Sequence, residues 1–108
     1  MKKRETVNGF GKVKIGGIDF DVVPLIDEFS NYSGMYVEED CKIYVRECNP
    51  QQMYKIFLHE LTHGIFNSIL GRERESSDEE LVDGIAGALM MLIRDNPGIF
   101  DINLFHKS

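Results

Sequence analysis

The chain of 108 residues is poor in cysteine, in long apolar runs and in positive charge. Two cysteines, Cys41 and Cys48, cannot build the multi-bridge framework of a small secreted domain, and they read as reduced structural thiols. Their spacing is not the close pair of a zinc knuckle. The longest nearly apolar stretch, residues 85–93, is far too short to span a bilayer. The basic start, Met1 to Arg4, leads into no apolar signal region, so a cytoplasmic location is expected. Twelve Lys plus Arg against eighteen Asp plus Glu leave a net charge of −6. That balance offers nucleic acid and anionic lipid no global attraction, and both are disfavoured as partners.

What is present fits one small α+β domain over residues 1–108, with residues 1–10 as a tail. Residues 11–46 are strand-rich. Val13 and Ile15 alternate with Lys12 and Lys14, and beyond Gly16-Gly17, Ile18, Phe20 and Val22 alternate with Asp19 and Asp21. A two-residue turn sets Ile15 against Ile18 and Val13 against Phe20 on one face, with Lys14 against Asp19 and Lys12 against Asp21 on the other. Leu25 to Gly34 is a connector with room for a short helix. Met35 to Val37 predicts a short strand, Glu38 to Asp40 a polar turn, and Cys41 to Arg46 a half-buried strand. The expected sheet is small, antiparallel or mixed.

Two helices should follow. Asn49 is an N-cap, Pro50 suits the first position and Gln52 sits where a capping-box side chain returns, predicting a helix over 50–70 that stops at Gly71. Leu58, Leu61, Ile65 and Ile69 form its apolar stripe. Arg72 to Ser76 reads as an exposed link. Ser77, with Glu80 three residues on, predicts the cap of a second helix over 77–95. Its breadth of apolar residues argues for burial, and Gly84 and Gly87 suggest close approach to the first helix. The 99–108 tail, with Phe100, Ile102 and Leu104 in alternation, reads as a short strand or a strap across the core.

His59-Glu60-Leu61-Thr62-His63 carries the chemistry. Histidines four apart share one helical face, about 6 Å apart along the axis, and can converge on one zinc ion. Glu60, about 100 degrees around the helix, suits a base that activates water rather than a ligand. A catalytic zinc needs a third protein ligand and an open position. Glu79 is the choice, with Asp83 four residues later as an outer acceptor for the distal N–H of His59 or His63. Glu80, Asp78, Glu73, Glu75 and His106 remain alternative third ligands. A second oxyanion donor is open among Tyr32, Tyr36, Tyr44, Tyr54, Arg46 and Arg94, and an exposed strand edge can hold an extended peptide.

The run LHELTHGIF followed by EELVDGIAGALMM resembles the ImmA/IrrE family of small zinc metallopeptidases, particularly short phage or prophage members. The resemblance covers mainly residues 43–91. It implies a minimal zincin-like core, with a small N-terminal sheet against the active-site helix and a second buried helix, in which His59 and His63 bind zinc and Glu60 activates water. The family's glutamate, then asparagine four positions later, then an aromatic-alanine pair correspond to Glu79, Asp83, Ile85 and Ala86. Asp83 and Ile85 depart from that pattern. The implied activity is hydrolysis of a protein or peptide substrate, in the host cytoplasm if the chain is phage-encoded, with specificity owed in part to a protein partner. The competing expectation is a noncatalytic, zinc-stabilised interaction module.

Overall fold

A computed structural model describes residues 9–105. The amino-terminal hairpin, β1 (Gly11–Ile15) and β2 (Ile18–Pro24), has the expected register throughout. Gly16 and Gly17 both take positive φ, 59° and 85°, the turn whose twist matches that of the flanking strands. Ion pairs Lys12–Asp21 at 2.7 Å and Lys14–Asp19 at 2.8 Å line the outer face. Such exposed pairs contribute little; burial of Ile15, Phe20 and Val22 on the opposite face holds the register. The Phe10 N–H bonds the Val22 carbonyl, so pairing begins inside the segment expected to be a tail. Most of that tail lies outside the described residues.

The connector contains one 3₁₀ turn, Asp27–Phe29. It leads to β3 (Gly34–Val37) and β4 (Lys42–Val45). β4 inserts between β2 and β3, giving the order β1-β2-β4-β3; β2 and β4 run parallel and the other pairs antiparallel. The mixed sheet leaves β3 at an edge. β4 is shorter than the 41–46 expected, because Cys41 turns at φ 52° to close the Glu38–Asp40 turn and Arg46 leaves the ladder. The Arg46 guanidinium donates to the carbonyls of Ser30 and Tyr32, tying down the connector. Both cysteines are free thiols.

α1 (Pro50–Gly64) starts as its sequence predicts: Asn49 Oδ1 accepts the Gln52 N–H at 2.8 Å and Pro50 lies in the first turn. The reciprocal Gln52 side-chain bond does not form; that side chain lines a cleft. After Gly64 the helix widens into a π turn, Ile65–Ile69, and stops at Gly71 with φ 64°. The widening rotates the expected stripe out of phase. Leu58 is buried, Leu61 and Ile65 are half-buried, and Ile69 faces solvent; Ile56 enters the core instead.

Close approach falls at glycines other than those expected. A Cβ on Gly34 would lie 2.7 Å from Ile56 Cγ2 and 2.8 Å from the Tyr44 carbonyl oxygen; one on Gly64 would lie 3.0 Å from both Ile15 and Tyr36. Those two absent side chains let β3 and the sheet settle directly on α1. Gly84 and Gly87 face open space.

Residues 72–76 are not a plain exposed link, for α2 (Glu73–Ser76) forms there and Ser76 is buried. The Ser77 hydroxyl donates to the carbonyls of Arg74 and Glu73, closing α2, and so cannot serve as the next N-cap. Asp78 caps α3 (Glu79–Asp95) by accepting the Leu81 N–H at 3.1 Å. Only Val82 and Ala86 of α3 are buried. α3 packs along one face on α1, and its other apolar residues, Leu81, Met91 and Leu92 among them, stay exposed. The carboxy-terminal segment makes turns rather than a strand or strap, with Ile102 and Phe105 almost wholly exposed. The result is an α+β fold with α1 in contact with both the sheet and α3. Among the described residues, no helix is long and apolar enough to cross a membrane.

Candidate metal centre

His59 and His63 project from the middle of α1, one turn apart, with ring centroids 5.0 Å apart. Glu79, in the first turn of α3, spans them: Oε1 lies 3.0 Å from His59 Nε2 and Oε2 3.3 Å from His63 Nε2. One ligand atom from each of the three falls within 4.8 Å of the others. The second helix therefore delivers the expected carboxylate.

Each imidazole is held from behind at Nδ1. His59 Nδ1 lies 3.4 Å from Asp83 Oδ1, so the outer acceptor expected for one of the two histidines is on His59. His63 Nδ1 lies 3.1 Å from Ser76 Oγ. The Ser76 hydroxyl directs its one proton to the His63 carbonyl oxygen at 3.4 Å and so accepts from Nδ1–H. Both arrangements put the proton on Nδ1 and the lone pair on Nε2, toward Glu79. Burial also lowers the His63 pKa, against the nearby Glu79 carboxylate, and favours the neutral form that ligates metal. Two oriented imidazoles and a carboxylate, with no fourth protein donor in the cluster among the described residues, fit a catalytic rather than a structural zinc.

Glu60 is only 7% exposed. Burial pushes its carboxyl up to about 7; the Glu79 charge adds to the rise, while His59 and a hydrogen bond from the Tyr36 backbone pull down without cancelling it. A carboxyl with that proton affinity can both accept and release a proton near neutral pH. Glu60, both histidines, Glu79 and Asp83 line one open cleft of about 540 Å³, whose other wall is the β3 edge at Ser33, Gly34 and Met35. The Arg46 N–H bonds the Ser33 carbonyl, so alternation turns the backbone groups of Gly34 and Tyr36 away from β4, toward that edge.

The other expected ligands are engaged elsewhere. Glu75 pairs with Arg72 at 2.8 Å, Asp78 caps α3, Glu80 lies exposed in the same first turn, and Glu73 borders a separate shallow groove. His106 lies outside the described residues. Of the tyrosines, Tyr32 lines the cleft. The Tyr36 hydroxyl meets Ser68 Oγ at 2.6 Å, Tyr44 is buried beside Phe29, and Tyr54 packs on Phe57. Arg46 is spent on carbonyls, and Arg94 lies in a neighbouring groove.

Sequence reasoning missed Ser76, which sits in a polar run thirteen residues from its histidine, where no helical spacing flags it. It also passed over Gln52, Lys55 and Ile56, which line the cleft. Their signal was available, since residues three, four and seven before His59 share its face. No protein-family model, curated protein or solved structure matches the chain.

Proposed function

We propose that the protein is a zinc-dependent peptidase. The observation that carries this reading is the convergence of His59, His63 and Glu79 beside the buried carboxyl of Glu60 in one open cleft. His59 Nε2, His63 Nε2 and a Glu79 oxygen would hold the ion. When bound, zinc supplies a Lewis acid that polarises a peptide carbonyl and lowers the pKa of water. Glu60 takes a proton from the attacking water as its oxygen bonds to the carbonyl carbon, then delivers that proton to the departing amine nitrogen as the C–N bond breaks. Asp83 and Ser76 keep the two imidazoles oriented throughout. The free edge of β3 offers backbone pairing to an extended peptide laid across the cleft.

The likeness of the histidine run and of the Glu79–Ala86 segment to ImmA/IrrE peptidases extends the proposal to a regulatory enzyme of phage or prophage type, acting on a protein substrate. A noncatalytic zinc module ranks second: a structural site takes four protein ligands and has no use for a buried base. The test compares zinc-loaded protein with Glu60→Gln on a quenched-fluorescent peptide mixture. The variant should bind zinc normally and lose at least a hundredfold in rate. Equal cleavage by both would end the peptidase reading.

A further inference from the structure

Resting on the peptidase reading, we propose that the cleft selects peptides with acidic side chains on one side of the scissile bond, and that Lys55 and Arg94 read them. Lys55 is the one Lys or Arg lining the metal cleft. The carboxylates there have partners already: Glu79 faces both imidazoles, Asp83 holds His59, and Glu60 is buried against the Tyr36 backbone. Lys55 is exposed and has no ion-pair partner among the described residues. It is the unmatched charge of the wall.

The cleft does not end at Lys55. A second groove of about 490 Å³ shares Gln52 and Lys55 with it and continues between α1 and α3 to Met90, Met91 and Arg94. Its charged lining residues are Lys55 and Arg94, with no carboxylate. In a chain of net charge −6, this is a local reversal of sign that opens directly onto the metal centre. Arg94 uses its Nε on Asp95 at 3.2 Å, and Asp95 does not line the groove. The two methionines supply adaptable apolar walls.

The spacing places the reading positions. Lys55 precedes His59 by one turn, about 6 Å along the axis, or about two residues of extended peptide. The Asn49 end of the groove is ten residues from His59, about 15 Å, or between four and five peptide residues. Asp83 and Glu79 crowd the metal end with negative charge. Acidic residues are therefore favoured from about the second to the fourth position away from the scissile bond, not beside it.

The test uses the zinc-loaded full chain and peptides with acetylated and amidated ends, carrying Glu, Gln or Lys at each position in turn. Glu peptides should show kcat/KM about three- to fivefold above their Gln isosteres, at the second to fourth positions on one side only. Lys55→Met should shrink that ratio, and Lys55→Glu should invert it in favour of Lys peptides. Equal cleavage of Glu and Gln peptides, or a Glu preference that survives Lys55→Glu, would overturn the proposal. A preference seen only when the carboxy terminus is left free would overturn it too, by assigning the groove to a terminal carboxylate. If no peptide is cleaved, the peptidase reading fails separately. Fluorescence anisotropy of the same peptides on zinc-loaded Glu60→Gln protein still decides the groove: tighter binding of Glu peptides supports it, and equal binding rejects it.

Discussion

The two sides of α1 are built differently. Toward the sheet, Gly34 and Gly64 remove side chains so that β3, Tyr36 and Ile15 press onto the helix, and Glu60 is sealed at that contact. Toward α3, only Val82 and Ala86 are buried, and Gly84 and Gly87 face open space. The metal centre straddles the difference. The side chains of His59 and His63 are 21% and 14% exposed, whereas those of Glu79 and Asp83 are 68% and 65% exposed. The imidazoles and the base are thus oriented by packing, while the carboxylates of α3 rely on the groups they meet. Half of the site is preorganised, and a bound ion must fasten the other half.

Four measurements sharpen or break this contrast. The largest effect belongs to Glu60 on the packed side. Its carboxyl binds a proton more tightly in the folded chain than in the unfolded one, so it contributes stability below its ordinary pKa of 4.5 that is lost as pH rises through about 7. Metal-free Glu60→Gln should therefore match the parent near pH 4 and exceed it by up to about 3 kcal/mol at pH 8, read by urea denaturation. A constant difference across that range would mean that the carboxyl is not sealed. Gly34→Ala comes next and should cost about 2 kcal/mol, since its Cβ would strike both Ile56 and a backbone oxygen. A neutral outcome in thermal melts would show that β3 can lift off α1.

Ser76→Ala should weaken zinc about tenfold or more in a competition titration with a chromophoric chelator, by freeing the His63 ring. An unchanged affinity would leave His63 held by α1 packing alone. Smallest is Gly84→Ala on the open side, which should stabilise by about 1 kcal/mol, because an exposed helical glycine with nothing near its Cβ gains propensity at no steric cost. Destabilisation there would reveal a surface that packs against something.

Legibility followed the reach of each interaction. The hairpin register was readable because charge and hydrophobic patterns on opposite faces demanded the same pairing. The start of α1 and the pairing of His59 with His63 depend on residues within one helical turn, and both were readable for that reason. That Glu79 meets them was a matter of chemistry, a third donor being needed, more than of pattern. The insertion of β4 between β2 and β3 rests on contacts distant in sequence, which no local period encodes. Adjacent Ser77 and Asp78 are both good caps, and which one serves α3 depends on where α2 ends. The apolar richness of α3 showed what it can bury and was silent on what lies beside it.

The π turn at Ile65–Ile69 carries a consequence of its own. It holds one residue more per hydrogen-bonded loop than an α-helix, as the bond from the Leu70 N–H to the Ile65 carbonyl records. Deleting any single residue there would let an ordinary helix form and swing everything downstream by about 100 degrees. Ser76 and Glu79 would then arrive on the wrong side of the histidines. Point changes in this stretch leave the count intact, so the chain should tolerate altered letters there far better than a lost one.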